Sequence, residues 1–195
     1  GEDLLYGAWL VARYQYPANL DARTAARLTD VARQLIERIG YDNCPFNMEF
    51  FHEPDRGHLH VLEINSRLSQ SHSDLFLKVD GLPHQRIAID LALGNTPTWS
   101  GGEGEYDIAA KHMVRRRDDG VVTHVPSASQ IAQVEKEVPG VRVELTVAPG
   151  QRLSDLPEQE SYSYELADLF IGARNEDELV SKYEHVVEKL SFEFA

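Results

Sequence analysis

At 195 residues, with 42% hydrophobic and 26% charged side chains, the sequence is that of a folded chain long enough for one ordinary domain or two small ones. Thirty-two acidic against 19 basic residues give a formal net charge of -13. That balance repels nucleic-acid phosphates and anionic lipid, so neither is expected as a partner. The single Cys44 excludes an internal disulfide. No apolar run reaches membrane-spanning length and no basic region precedes an apolar N-terminal stretch, so the sequence predicts a cytoplasmic protein without span or signal peptide. The chain opens on Gly1 rather than Met and reads as a piece of a longer polypeptide.

Tyr6 to Tyr14 reads as a strand that ends by Pro17. From Asp21 to Ile39, apolar residues at Ala25, Leu28, Ala32, Leu35, Ile36 and Ile39 trace a helical stripe, with Asp21 as its cap and Gly40 as its left-handed terminator. Phe46 to His52 and Leu59 to Asn65 are predicted strands of a hairpin around the turn Glu53-Pro54-Asp55-Arg56-Gly57-His58. Pro83 to Leu93 follows as a second helix, closed by Gly94. A looser Gly/Ser segment, Ser100 to Gly104, marks the expected boundary between two parts, 1–100 and 105–195.

Beyond it the sequence predicts strands at Tyr106 to Arg115 and Val121 to Val125 around the turn Asp118-Asp119-Gly120. A capping box, Ser127 with Gln130, opens a short helix to Val138. Strands at Val141 to Val147 and Tyr162 to Gly172 come next. A last helix starts at Asn175 with Glu178 and carries Leu179, Tyr183, Val186, Val187 and Leu190 on one face, a stripe expected to cover its own sheet. The fold class is therefore α+β, an antiparallel sheet with helices followed by a small β-rich α+β domain.

If the hairpin is symmetric about Arg56, Glu49 faces Glu63 and Asn47 faces Asn65, with Arg67 on the same side. Phe46, Met48, Phe50, Leu62 and Ile64 then form the other side and are expected in the core. Two carboxylates directly across a ladder repel unless a cation sits between them, and a hard divalent ion takes such oxygen ligands. A solvated hairpin face with an ordinary Arg67 salt bridge explains the same spacing. In this register His52 would oppose His60, with His58 turned to the opposite face, so solvent-facing histidines are a simpler account than a zinc site. Arg115-Arg116-Arg117 reads as a solvated hairpin end, and Tyr162, Tyr164 and Phe170 as strand core. Cys44, just before Pro45 in a helix-to-strand turn, is taken as structural.

The string Phe46-Asn47-Met48-Glu49-Phe50, then Val61-Leu62-Glu63-Ile64-Asn65-Ser66-Arg67, then Gly81 and Ala88-Ile89-Asp90-Leu91-Ala92-Leu93-Gly94 resembles the C-terminal part of ATP-grasp ligases, the group of carboxylate-amine ligases, biotin carboxylases and carbamoyl phosphate synthetases. The resemblance implies that Glu49, Glu63 and Asn65 hold the magnesium ions of ATP, with manganese as a substitute, and that Arg67 stabilises acyl-phosphate formation. Ser66 departs from it, since many members carry proline there. Ser69, Ser71 and His72 occupy a loop that varies with substrate, and are candidates for acceptor binding or simply a polar loop. Residues 106–194 resemble, by pattern only, the β-rich domain that follows the ATP-grasp core in biotin carboxylases.

The family contributes lysines and a glycine-containing loop from an earlier lobe, and nothing ahead of Tyr6 matches them, so the segment alone is expected to be inactive. For the parent enzyme the resemblance implies an ATP-dependent ligase joining a small-molecule carboxylate to an amine or similar nucleophile. Bicarbonate activation, a non-catalytic assembly module and a plain metal-binding hairpin are the alternatives, and the oligomeric state, a homo-oligomer included, stays open.

Overall fold

The computed structural model describes residues 13–69, 72–157 and 163–195. In chain order these form β1 (Arg13–Tyr16), α1 (Ala22–Ile39), β2 (Asn47–Glu53), β3 (His58–Asn65), α2 (Ser73–Asp80), α3 (His84–Ala92), β4 (Ile108–Arg116), β5 (Val122–His124), α4 (Ala128–Glu137), β6 (Val141–Leu145), β7 (Tyr164–Ala173), α5 (Glu176–Lys189) and β8 (Glu193–Phe194). The expected first strand is present as β1, and its residues 6–12 lie outside the described residues.

The central sheet is antiparallel, in the order β1-β4-β7-β6. Cross-strand partners share a face, so Ala110, Ile171 and Val141 line up on one side with His112, Leu169 and Val143. Helices α4 and α5 cover that side with Val134, Leu179, Val186 and Leu190, making an apolar core in which Leu169, Ile171, Leu179 and Val186 are fully buried. The last helix thus covers its own sheet, as its stripe predicts. The other side carries Lys111, Asp168, Phe170 and Arg142 and is covered by α2, whose Leu75 and Val79 pack on Ala109. Charges here are paired: Lys111 Nζ meets Asp168 Oδ2 at 2.7 Å, and Asp74 of α2 forms ion pairs with both Lys78 (2.7 Å) and Arg142 (3.3 Å). Phe170 is buried, with the Arg142 guanidinium 4.0 Å from its ring centroid, in keeping with its core assignment.

Local signals act where they were expected. Asp21 caps α1, accepting from the Arg23 and Thr24 amides at 3.0 Å, and Ser127 and Gln130 close a complete capping box on α4. Asn175 accepts from the Glu178 amide, but the Glu178 carboxylate turns to the Arg174 amide rather than completing a box.

Several features of the fold differ from the sequence reading. β4 and β5 do not pair with each other: β5 joins β8 in a two-stranded ribbon, and β4 lies between β1 and β7. Arg115 is not a solvated residue, because its guanidinium is mostly buried against Ser163 (3.0 Å) and Glu165 (3.1 Å). The Ser100–Gly104 segment is tied down. Gly104 and Tyr106 amides donate to the Val79 and Lys78 carbonyls at 2.9 and 3.1 Å, and a Cβ on Gly104 would overlap the Lys78 backbone. Helix α2 was not foreseen at all: its cap position, His72, makes no side-chain cap bond, so the usual start signal is absent. The sheet itself takes β1 from before the expected boundary and its other strands from after it.

Candidate functional site

The β2–β3 hairpin is built by the 3₁₀ turn Pro54–Arg56 and Gly57, whose left-handed φ of 63° returns the chain antiparallel. Its open end has the predicted register, Asn47 opposite Asn65, Met48 opposite Ile64 and Glu49 opposite Glu63. Beyond Glu49 a β-bulge intervenes. Phe50 pairs with Val61, leaving Leu62 as an extra residue on β3, and from there to the tip every β3 residue is displaced by one relative to the symmetric register.

Glu49 and Glu63 face each other at this site. Asn65 donates from its amide nitrogen to Glu63 Oε1 at 2.7 Å, so the two residues present one polar cluster. Burial raises the Glu49 pKa, and the charge and hydrogen bonding of the Glu63 carboxylate raise it further, while the Arg67 guanidinium partly offsets this. Arg67 lies near enough to act on Glu49, and its Nη1 donates to the Leu68 carbonyl at 3.2 Å. Glu49, Glu63, Asn65 and Arg67 therefore come together as the sequence predicts.

The opposite side of the hairpin does not. Phe46, Leu62 and Ile64 are exposed by 38, 62 and 39% and Met48 and Phe50 are only half-buried, so the expectation that this set forms core is not met by any of its five members. Helix α1 lies along this side and covers it only in part. Arg27 donates to the Gly57 carbonyl at 3.0 Å, and Leu35 and Val31 line a shared groove with Val61.

The bulge also undoes the expected His52–His60 opposition. His60 pairs with Phe51 rather than His52, and His58 pairs with Glu53. His58 and His60, two residues apart on one strand, share a face, contrary to the reading that separated them, and their ring centroids are 5.8 Å apart.

Of the loop candidates, Ser71 lies outside the described residues. His72 packs edge-on against Tyr14 at 5.0 Å, and its pKa is lowered by burial and by the neighbouring His84 and Lys111. Ser69 offers its backbone to the His84 ring, which is itself buried. The loop thus leads to a second polar corner formed by His72, His84 and Lys111, which sequence reading missed because those residues are far apart along the chain.

Residues 15–98 match the family described as carbamoyl-phosphate synthase L chain, ATP binding domain. The chain is similar to the carbamoyl phosphate synthase large chains of Kocuria rhizophila and Streptomyces avermitilis, at 40% and 39% identity over 77 residues. That stretch is 40% of this chain and 7% of either relative's length. In fold the chain is similar to L-amino acid ligase from Bacillus licheniformis, with a TM-score of 0.76 at 16% identity over 97% of this chain and 45% of that one. It is also similar to biotin carboxylase from Campylobacter jejuni, with a TM-score of 0.63 at 18% identity over 94% of this chain and 39% of that one.

Proposed function

We propose that the chain is part of an ATP-grasp ligase and that its hairpin forms the magnesium-nucleotide wall of an enzyme that activates a carboxylate as an acyl phosphate for attack by an amine or similar nucleophile, a reading supported by the family match over residues 15–98. The observation that carries this reading is the opposed Glu49–Glu63 pair with Asn65 bonded to it. The donors fit a hard divalent ion: two carboxylates and an amide oxygen, with Glu49 held in a state that a cation would relieve. Magnesium is the natural occupant and manganese an alternative. A cation there offsets the charge of the β- and γ-phosphates. Arg67, beside the pair, supplies a fixed positive charge for the transferred phosphoryl oxygens.

Ser69, Ser71 and His72 remain our candidates for contacts to the acceptor. The partners on this reading are small molecules, and we place the protein in the cytoplasm, where a lone exposed Cys44 stays reduced. No helix among the described residues is long and apolar enough to cross a membrane. We read residues 1–100 as the ATP-grasp part and 105–195 as a β-rich C-terminal part, joined through the shared sheet.

A second reading, bicarbonate activation, is favoured by the likeness to biotin carboxylase. One assay separates them: ADP and phosphate release by the full-length protein across carboxylates, amines and bicarbonate, with magnesium. Acceptor-dependent ADP formation that falls on the order of 10²-fold or more in Glu63→Gln and in Arg67→Ala, with unchanged circular dichroism, is the expected result. Unaltered rates in both variants overturn the assignment, and no turnover with any acceptor favours a non-catalytic module.

A further inference from the structure

We propose that Glu53, His58 and His60 form a second metal site, selective for a zinc-like transition-metal dication, at the tip of the same hairpin. Glu53 and His58 are direct cross-strand partners, and His60 follows two residues along the same face. One potential ligand atom from each lies within 4.8 Å of the other two. Glu53 Oε2 is buried and has no hydrogen-bond partner, with His58 Nδ1 at 3.7 Å and Arg56 Nη1 at 3.5 Å. This oxygen faces His58 and is held only by the long Arg56 ion pair, which leaves its hydrogen-bonding capacity unused.

The surroundings keep that geometry. Pro54 and the left-handed Gly57 fix the turn that sets Glu53 against His58, and Arg27 of α1 pins the Gly57 carbonyl. Zinc binds imidazole nitrogen and carboxylate oxygen at about 2.0–2.2 Å, which sets ligand atoms roughly 3.3 Å apart in a tetrahedron. Closing from the present spacing takes only rotation of His58 and His60, both exposed side chains. Water completes the coordination on the open side. Arg56 supplies positive charge to Glu53 when no ion is bound, and being 74% exposed it is free to swing out.

The chemistry separates this group from the carboxylate pair. Two imidazoles suit zinc, nickel or copper and not magnesium, which prefers an all-oxygen shell. The bulge at Leu62 is what brings His58 and His60 onto the same face as Glu63, with Glu53 four residues, about 13 Å, along β2 from Glu49. The inference rests on these residues and not on the ligase reading.

The test is calorimetric titration of the tag-free chain with zinc chloride, with histidine ring resonances followed by NMR. Expected are saturable binding of one ion per chain, shifts confined to the His58 and His60 rings, affinity at least tenfold weaker in His58→Gln and in His60→Gln, and tighter binding in Arg56→Gln. Glu63→Gln should bind zinc as the unsubstituted chain does, and excess magnesium should not compete. Absence of saturable binding overturns the proposal. So does binding that survives the double His58→Gln/His60→Gln variant, or that disappears in Glu63→Gln.

Discussion

The hairpin and the central sheet are both built from antiparallel strands carrying apolar residues, yet they are finished differently. In the sheet, Leu169 and Ile171 are fully buried beneath Leu179 and Val186, whereas in the hairpin Leu62 and Ile64 stand 62% and 39% exposed. The difference is coverage: two helices close over one side of the sheet, but α1 spans only part of its side of the hairpin. Alternation specifies which side chains share a face and is silent on whether anything covers it.

That contrast can be broken at its strongest point first. Leu179→Ala should cost about 2–5 kcal/mol, because the site is closed on all sides and cannot collapse, while Leu62→Ala should stay within about 0.5 kcal/mol. Urea unfolding of the two variants checks this. Equal losses would mean that the hairpin face is covered in solution.

Next in size is the pH response of the sheet. Burial, with the Arg13 charge adding to it, lowers the pKa of His112 to about 4, and the ring stacks on Tyr183 at 4.3 Å. The folded pKa lies below the unfolded value of about 6.5, so its stabilising contribution is full above that value and is lost as pH falls from about 6.5 through about 4. The loss across that window is on the order of 3 kcal/mol. His112→Phe should flatten this part of the stability–pH curve, measured by denaturation at fixed urea, and an unchanged slope would assign it elsewhere.

The smallest effect tests local order within the well-covered half. Ser127→Ala removes the acceptor for the Gln130 amide and should lower stability by about 1 kcal/mol, with Ser127→Asp restoring it.

What the sequence made legible divides along physical lines. Caps are local chemistry, and Asp21 and Ser127 were readable from a few neighbouring residues. The Glu49–Glu63 and Asn47–Asn65 pairs were readable from hairpin symmetry. The same symmetry failed beyond Leu62, because one extra residue in β3 carries no compositional mark, and with it failed the His52–His60 opposition; that His58 and His60 share a face follows from their two-residue spacing in either register. Pairings between distant segments, β1 with β4 and β5 with β8, were not readable. A run such as Val121 to Val125 states a preference for strand and nothing about its neighbour.

The β1–β4 ladder has a consequence for the order of assembly. Tyr14 pairs with Lys111 across about half the chain, whereas β6 and β7 meet through a far shorter connection. Closing a loop of that length carries a chain-entropy penalty of about 4 kcal/mol, so the more local contacts of β6, β7 and α5 are expected to form before β1 docks. Among the described residues β1 and β6 both sit at the sheet's rim, but β1 is short and held by a long-range pairing, so its amide protons are expected to exchange before those of β4 and β7.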